Sequence, residues 1–250
     1  MCSTVVFCAL KRTGGFTLVE MAVVLVIVGL LLGGLFVPLS AQLDQRNAAQ
    51  TQKTLSEIKE ALLGYAAING RLPCPADSTS AGQENPIGGG ACITLYTGFV
   101  PGVTLGITPT DSQGFVIDGW GNRVHYAITN ANGNAYTTIS GLKTAGFTVV
   151  SPNLYVCSAN GGSTTTCGSA NTLTTSAPVV IYSTGKNGVI GGVGTDESQN
   201  PNPNSADNNA VFVSHDITAS GAPNGEFDDM VVWLSNSVLI NRMLSAGQLP

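Results

Sequence analysis

Phe16 to Leu39 reads FTLVEMAVVLVIVGLLLGGLFVPL, an apolar run broken by one acid. A helix needs ~20 consecutive apolar residues to cross the hydrocarbon core of a bilayer, so the run is long enough. Lys11 and Arg12 stand just before it, and basic residues hold the adjoining end at the cytoplasmic side. The bulk of the chain is then expected outside. Glu20 is the exception inside the run. A carboxylate at the bilayer centre costs roughly 2.5–3.5 kcal/mol on insertion scales, and less toward an end. Glu20 still requires a partner, and the run holds no Lys or Arg. Cleavage between Gly15 and Phe16 would supply one by freeing an α-amino group four residues before Glu20. That cation is better placed to meet a neighbouring chain's glutamate than to satisfy its own.

Other accounts of the run explain less. A secretory signal peptide cut after Ala41 would have a shorter apolar core, of about 7–15 residues, and no acid within it. A plain single-span anchor explains the hydropathy but neither Gly15-Phe16 nor Glu20. A lipoprotein reading centred on Cys8 lacks the small residues it needs, since Val6-Phe7 precede the cysteine.

Past the apolar run the helix is expected to continue. Leu55, Ile58, Leu62 and Tyr65 recur at three- and four-residue steps, the mark of one apolar helix face. Gln52, Lys53, Glu57 and Lys59 fill the opposite face. Asn69-Gly70 and then Pro73 stop the pattern. A helix from Phe16 to about Ile68 would run ~80 Å at 1.5 Å per residue. Gly33-Gly34 and Pro38 are expected to bend it or melt it locally.

Composition narrows the function classes. The chain has 250 residues, a formal net charge of −5 and only 10% charged residues, with 31 glycines. Losing Lys11 and Arg12 with a leader makes it more acidic still. No broad basic patch is visible, so non-specific nucleic-acid binding is not expected, because it requires Lys and Arg to displace phosphate counterions. Of six cysteines, Cys2 and Cys8 precede the apolar run and Cys74, Cys92, Cys157 and Cys167 follow it. Sequence neighbours pair naturally as Cys74–Cys92 and Cys157–Cys167, although four cysteines permit three connectivities. Such bridges require an oxidising compartment such as the periplasm. A zinc site is the rival, weakened by the lack of a CxxC pair and by the presence of only two histidines.

Residues 70–250 read as loops and short strands. Phe115–Ile117, Arg123–Ile128, Leu154–Cys157, Val179–Ser183, Val211–Val213 and Met230–Leu234 are β-branched or aromatic and bounded by Gly, Asn and Pro. Their short spacing predicts antiparallel pairing, with the sheet burying the apolar stripe of the long helix. Ser237 to Gly247 reads as a closing helix. The fold class is therefore α+β. Asp118-Gly119-Trp120-Gly121-Asn122 predicts a structural turn, opened by Asp118, in which Gly119 and Gly121 permit the tight backbone and Trp120 anchors it in the core. Thr195 to Asn209 is rich in side-chain oxygens, among them Asp196, Glu197 and Asp207, and Asp228-Asp229 could form the second half of an oxygen-lined site. Hard cations want six to eight such ligands, but no EF-hand spacing is present and a solvated loop is the plainer reading.

No catalytic constellation is expected. His125 and His215 are the only histidines, and neither a Gly-x-Ser-x-Gly elbow nor HExxH occurs. Thr184-Gly185-Lys186-Asn187-Gly188 is a poor phosphate loop, with Asn187 where magnesium would need Ser or Thr, and predicts a turn instead.

The leader with Lys11 and Arg12, then Gly14-Gly15, then Phe16-Thr17-Leu18-Val19-Glu20 and the apolar run, resembles the type IV pilin family, including the pseudopilins of type II secretion. Pro38 falls near a proline that often kinks helices of that family. The resemblance implies a leader at 1–15, a membrane and filament-core helix at 16–39, its amphipathic continuation at 40–69, and a periplasmic or extracellular head at 70–250. It implies cleavage by prepilin peptidase between Gly15 and Phe16, N-methylation of Phe16, and neutralisation of an adjacent subunit's N-terminus by Glu20. Partners would be other pilin or pseudopilin subunits, prepilin peptidase and an inner-membrane assembly platform. Asp118-x-Trp120-Gly121 before a strand bearing Tyr126 is similar to a turn in pseudopilins. Major pseudopilins bind calcium in a loop near the C-terminus, which makes Asp196, Glu197 and Asp207 candidate ligands; no other cofactor is implied. The size of the head and its two bridged loops suit a minor subunit. The alternative from a different class is a membrane-tethered or secreted surface binding module, such as an adhesin, that does not polymerise.

Overall fold

Fifty-two residues, Leu18–Asn69, form α1. The structure, a computed structural model, describes residues 15–148, 150–188, 194–200 and 206–250, without the side chains of 32–39. Helix α1 is unbroken through 32–39, so no melted turn interrupts it at Gly33-Gly34 or Pro38. Its end follows from sequence: Gly70 takes φ +66° and its N–H donates to Ala66 O at 3.0 Å, a left-handed stop that suits glycine. Gln248 completes that stop by donating Nε2 to the carbonyls of Ala67 and Ile68 at 3.0 and 3.1 Å.

The remaining elements are β1 (Gly98–Phe99), α2 (Gly102–Leu105), β2 (His125–Ile128), α3 (Ala131–Asn134), α4 (Gly141–Ala145), β3 (Leu154–Cys157), β4 (Thr172–Ala177), β5 (Val179–Ser183), a 3-10 turn at Glu197–Gln199, β6 (Val211–Val213), β7 (Met230–Trp233) and α5 (Asn236–Ser245). The chain divides into two compact units at Gln45 and Arg46. The second contains two sheets. One runs β1-β2-β5-β7, antiparallel throughout, and the other runs β4-β3-β6. In the latter, β3 and β6 pair in parallel, with Tyr155 opposite Val211 and Cys157 opposite Val213. That corrects the expectation of purely antiparallel pairing: β4 and β5 lie between them in sequence, so the return to β3 is a long crossover rather than a hairpin.

Strand periodicity explains how the cores form. Tyr126, Ile128, Val179 and Ile181 point one way, onto Leu55, Ile58, Leu62, Leu63 and Ala66 of α1 and Leu239 and Met243 of α5. Ala127, Val180 and Tyr182 point the other way, onto Leu154, Val156, Ala177 and Phe212 of the second sheet. The first sheet is thus buried on both faces, between helices and the smaller sheet. Tyr65 is not part of the core as its spacing predicts. It lies half-buried at the margin and donates its hydroxyl to Glu84 Oε1 at 3.1 Å.

The segment 70–97 is tied down by polar chemistry. Arg71 and Glu84, each 5% exposed, meet through two bonds of 2.7 Å, and Glu84 also accepts the N–H groups of Cys74 and Gly88. The guanidinium beside Glu84, with these N–H donors, holds its carboxyl below the usual range despite burial. Disulfides join Cys74 to Cys92 and Cys157 to Cys167, with Cα separations of 5.4 and 5.5 Å, the pairing that sequence proximity favours. Expected strand Phe115–Ile117 reduces to isolated bridges, Thr110 to Val116 and Ile117 to Arg123.

Candidate functional site

Gly15, Phe16 and Thr17 precede α1 in non-helical backbone, and open space surrounds Gly15 where a side chain would project. The Gly15 position is therefore sterically open. Thr17 caps the helix. Glu20 N–H donates to Thr17 Oγ1 at 3.2 Å, while Thr17 N–H and Oγ1–H donate to Glu20 Oε2 at 2.9 and 3.0 Å. This reciprocal capping box satisfies two helix-end donors and gives Glu20 a partner within its own chain. Its sequence signature is Thr-x-x-Glu before an apolar run, here Thr17 to Glu20. Phe16 is 83% exposed, and Leu18, Val19, Leu25, Val26, Leu30 and Leu31 are exposed with it. Lys11, Arg12 and Gly14 lie outside the described residues.

Among the described residues no helix is long and apolar enough to cross a membrane. The membrane span expected at 16–39 is thus not met there. Residues 32–39 of that stretch have no described side chains.

Asp118 organises its turn. Its Oδ1 accepts Trp120 N–H and Asn122 N–H at 2.9 and 2.8 Å, and its Oδ2 accepts Ser183 Oγ–H at 2.6 Å. Gly121 takes φ +89°. Gly119 matters for a different reason: a Cβ there would lie 2.3 Å from Asn47 O, so only glycine lets the turn abut α1, where its N–H donates to Thr51 Oγ1 at 3.0 Å. Trp120 is not the core anchor that the motif suggests. It is half-buried, outside the buried clusters, and its Nε1 is buried without a hydrogen-bond partner.

The three acids expected to share a cation do not converge. Asp207 accepts N–H bonds from Leu95, Tyr96 and Thr97 at 2.7, 2.6 and 3.2 Å and so pins the turn before β1. Asp196 accepts Asn160 N–H at 2.7 Å and Asn224 Nδ2–H at 2.9 Å, with His215 Nε2 at 3.2 Å from its Oδ2. Fixed protein donors consume both carboxylates. Glu197, next in sequence to Asp196, turns instead toward Asp228 and Asp229, and one oxygen from each of these three lies within 4.8 Å of the others. Asp228 N–H donates to Glu197 Oε1 at 2.7 Å. Burial pushes the Asp229 carboxyl up to about 8 and raises that of Asp228 as well.

Glu20 is thus the one acid in the apolar run 16–39, at the capped start of α1 and just after an open glycine position. Residues 10–36 match the family model described as the prokaryotic N-terminal methylation motif. That motif is the hallmark of type IV pilin and pseudopilin precursors, to which the chain is similar over this N-terminal stretch. No curated protein and no solved structure matches it.

Proposed function

We propose that this chain is a structural subunit, not an enzyme, of a type IV pilus-like filament or a type II secretion pseudopilus. It serves as a minor component rather than the main repeat. The precursor sits in the inner membrane with its head in the periplasm, prepilin peptidase cuts before Phe16 and methylates it, and an inner-membrane platform draws the subunit into the filament. The observation that carries this reading is the N-terminus: a sterically open Gly15 before Phe16, then Glu20 near the start of an exposed apolar helix. The apolar sequence continues through 32–39, which supports a membrane span. In a single chain Glu20 is occupied by neutral donors of Thr17. A neighbouring subunit's cationic N-terminus would offer the carboxylate a full opposite charge that these donors lack, so cleavage and pairing would be linked.

The test is the N-terminus of protein recovered from cell envelopes, read by intact mass and sequencing, together with the fate of Glu20→Ala. Methylated Phe16 at the N-terminus is expected, with Glu20→Ala still cut but incorporated into filaments at least about tenfold less, as loss of one charge-assisted bond of ~1.5–3 kcal/mol predicts. A chain beginning at Met1 or Gln42, or equal incorporation of Glu20→Ala, would point to a tethered or secreted binding module instead.

A further inference from the structure

Among the described residues four strands lie at a sheet edge, and three of those edges are covered or broken. Ala76 pairs with Phe99 and covers β1, through N–H to O distances of 2.8 and 2.9 Å. Asn200 covers β6 by accepting Val213 N–H at 2.8 Å and donating Nδ2 to Val213 O at 3.2 Å. β4 is polar, and shifts of register break its ladder with β3. β7 has no such guard. It reads Met-Val-Val-Trp, without the charge, proline or bulge by which proteins keep sheet edges from pairing. Leu234 N–H donates to Val179 O at 3.1 Å, so by alternation Met230 and Val232 also turn their backbone groups toward β5. The N–H and C=O of Val231 and Trp233 then point away from the sheet, and no hydrogen bond reaches them among the described residues.

Room for another chain lies along the same edge. Side chains of Met230 and Val232 pack toward α1, and those of Val231 and Trp233 toward the second sheet. Two open grooves, of about 510 and about 330 Å³, run beside β7 and share Val231 and Val232. Leu63 and Val238 wall the first, Leu55 and Ile217 the second.

We propose that the outer edge of β7 docks an extended peptide segment of a partner protein, which joins the four-stranded sheet as a fifth strand. The backbone sets the class of partner. Donors and acceptors that alternate along one line are matched in full by another extended chain. The grooves set its side chains. Directly opposed residues of paired strands share a face, so partner residues opposite Met230, Val232 and Leu234 project toward α1 and fill the grooves with apolar groups at alternate positions. The site does not depend on whether the chain enters a filament.

The probe is an acetylated peptide, Lys-Thr-Val-Thr-Val-Thr-Lys, titrated into the full-length chain in detergent micelles and read by calorimetry, with empty micelles as the blank. Binding with a Kd of about 1 mM or tighter is expected. N-methylation of its three central amides keeps the side chains but removes donors from both strand edges, and should weaken binding at least about tenfold. Val231→Pro removes an outward N–H without touching the ladder to β5, and should weaken binding as much. Should Val231→Pro fail to fold, the methylated peptide decides. No binding at about 1 mM peptide would overturn the proposal. Undiminished binding of the methylated peptide, or of the parent peptide by folded Val231→Pro, would overturn it too, by placing the contact elsewhere. A wild-type dimer that Val231→Pro dissolves, read by light scattering, would give the edge to a second copy instead.

Discussion

His125 is 4% exposed and lies between two rings, 5.1 Å from Phe99 and 4.8 Å from Tyr182 between centroids, with Nδ1 unpartnered. Burial holds its pKa down at about 4. Below the ordinary imidazole value the unfolded chain takes up a proton that the folded chain refuses. Stability therefore falls as pH drops from about 6.5 to about 4, by about 3 kcal/mol in all, and this loss levels off below that window. Urea unfolding of wild type and His125→Phe at both ends of the window isolates the effect, since the carboxylates contribute equally to the two proteins. An equal pH dependence in both would remove His125 as its cause. Sequence marked this residue only as one of two histidines; nothing in its local context announced an aromatic stack assembled from β1, β2 and β5. The partnership of Arg71 with Glu84 was hidden for the same reason, because it depends on how a loop closes.

Elements that bury whole faces were legible, and those whose role is backbone pairing were not. The stripe Leu55, Ile58 and Leu62 announced α1, and the apolar runs of β3, β5 and β6 gave their bounds as observed. β4 escaped notice because TLTTSA is polar and mostly exposed, an edge strand defined by its ladder with β3. β1 is only Gly98–Phe99. The cluster of Glu197, Asp228 and Asp229 was half legible: they stood out as acids, but the opposite orientations of Asp196 and Glu197 depend on the 3-10 turn that begins at Glu197. Packing between elements yields its own prediction at Gly119. Gly119→Ala would drive a Cβ into the α1 backbone at Asn47, and a loss of ~1–3 kcal/mol is expected in denaturant unfolding. A neutral outcome would mean that the Asp118 turn does not depend on its closeness to α1.

The head as a whole is closed by contacts distant in sequence. Two disulfides strap loops that carry little apolar surface, and replacing Cys74 and Cys92 together by Ser is expected to cost ~2–4 kcal/mol, read as a lower urea midpoint. An unchanged midpoint would assign that loop's order to Arg71 and Glu84 alone. Sheet β4-β3-β6 joins strands on either side of β5 in sequence, and α5 packs into the same core as α1. The donation from Gln248 to Ala67 and Ile68 spans 181 and 180 residues. At ~5–20 residues per second, ribosomal synthesis leaves those two carbonyls without that donor for roughly 10–40 s. During that interval the start of the chain is already available for insertion and cutting while the end of its long helix waits for a residue not yet made. The proposed processing at Phe16 would then run ahead of the closing of that helix end.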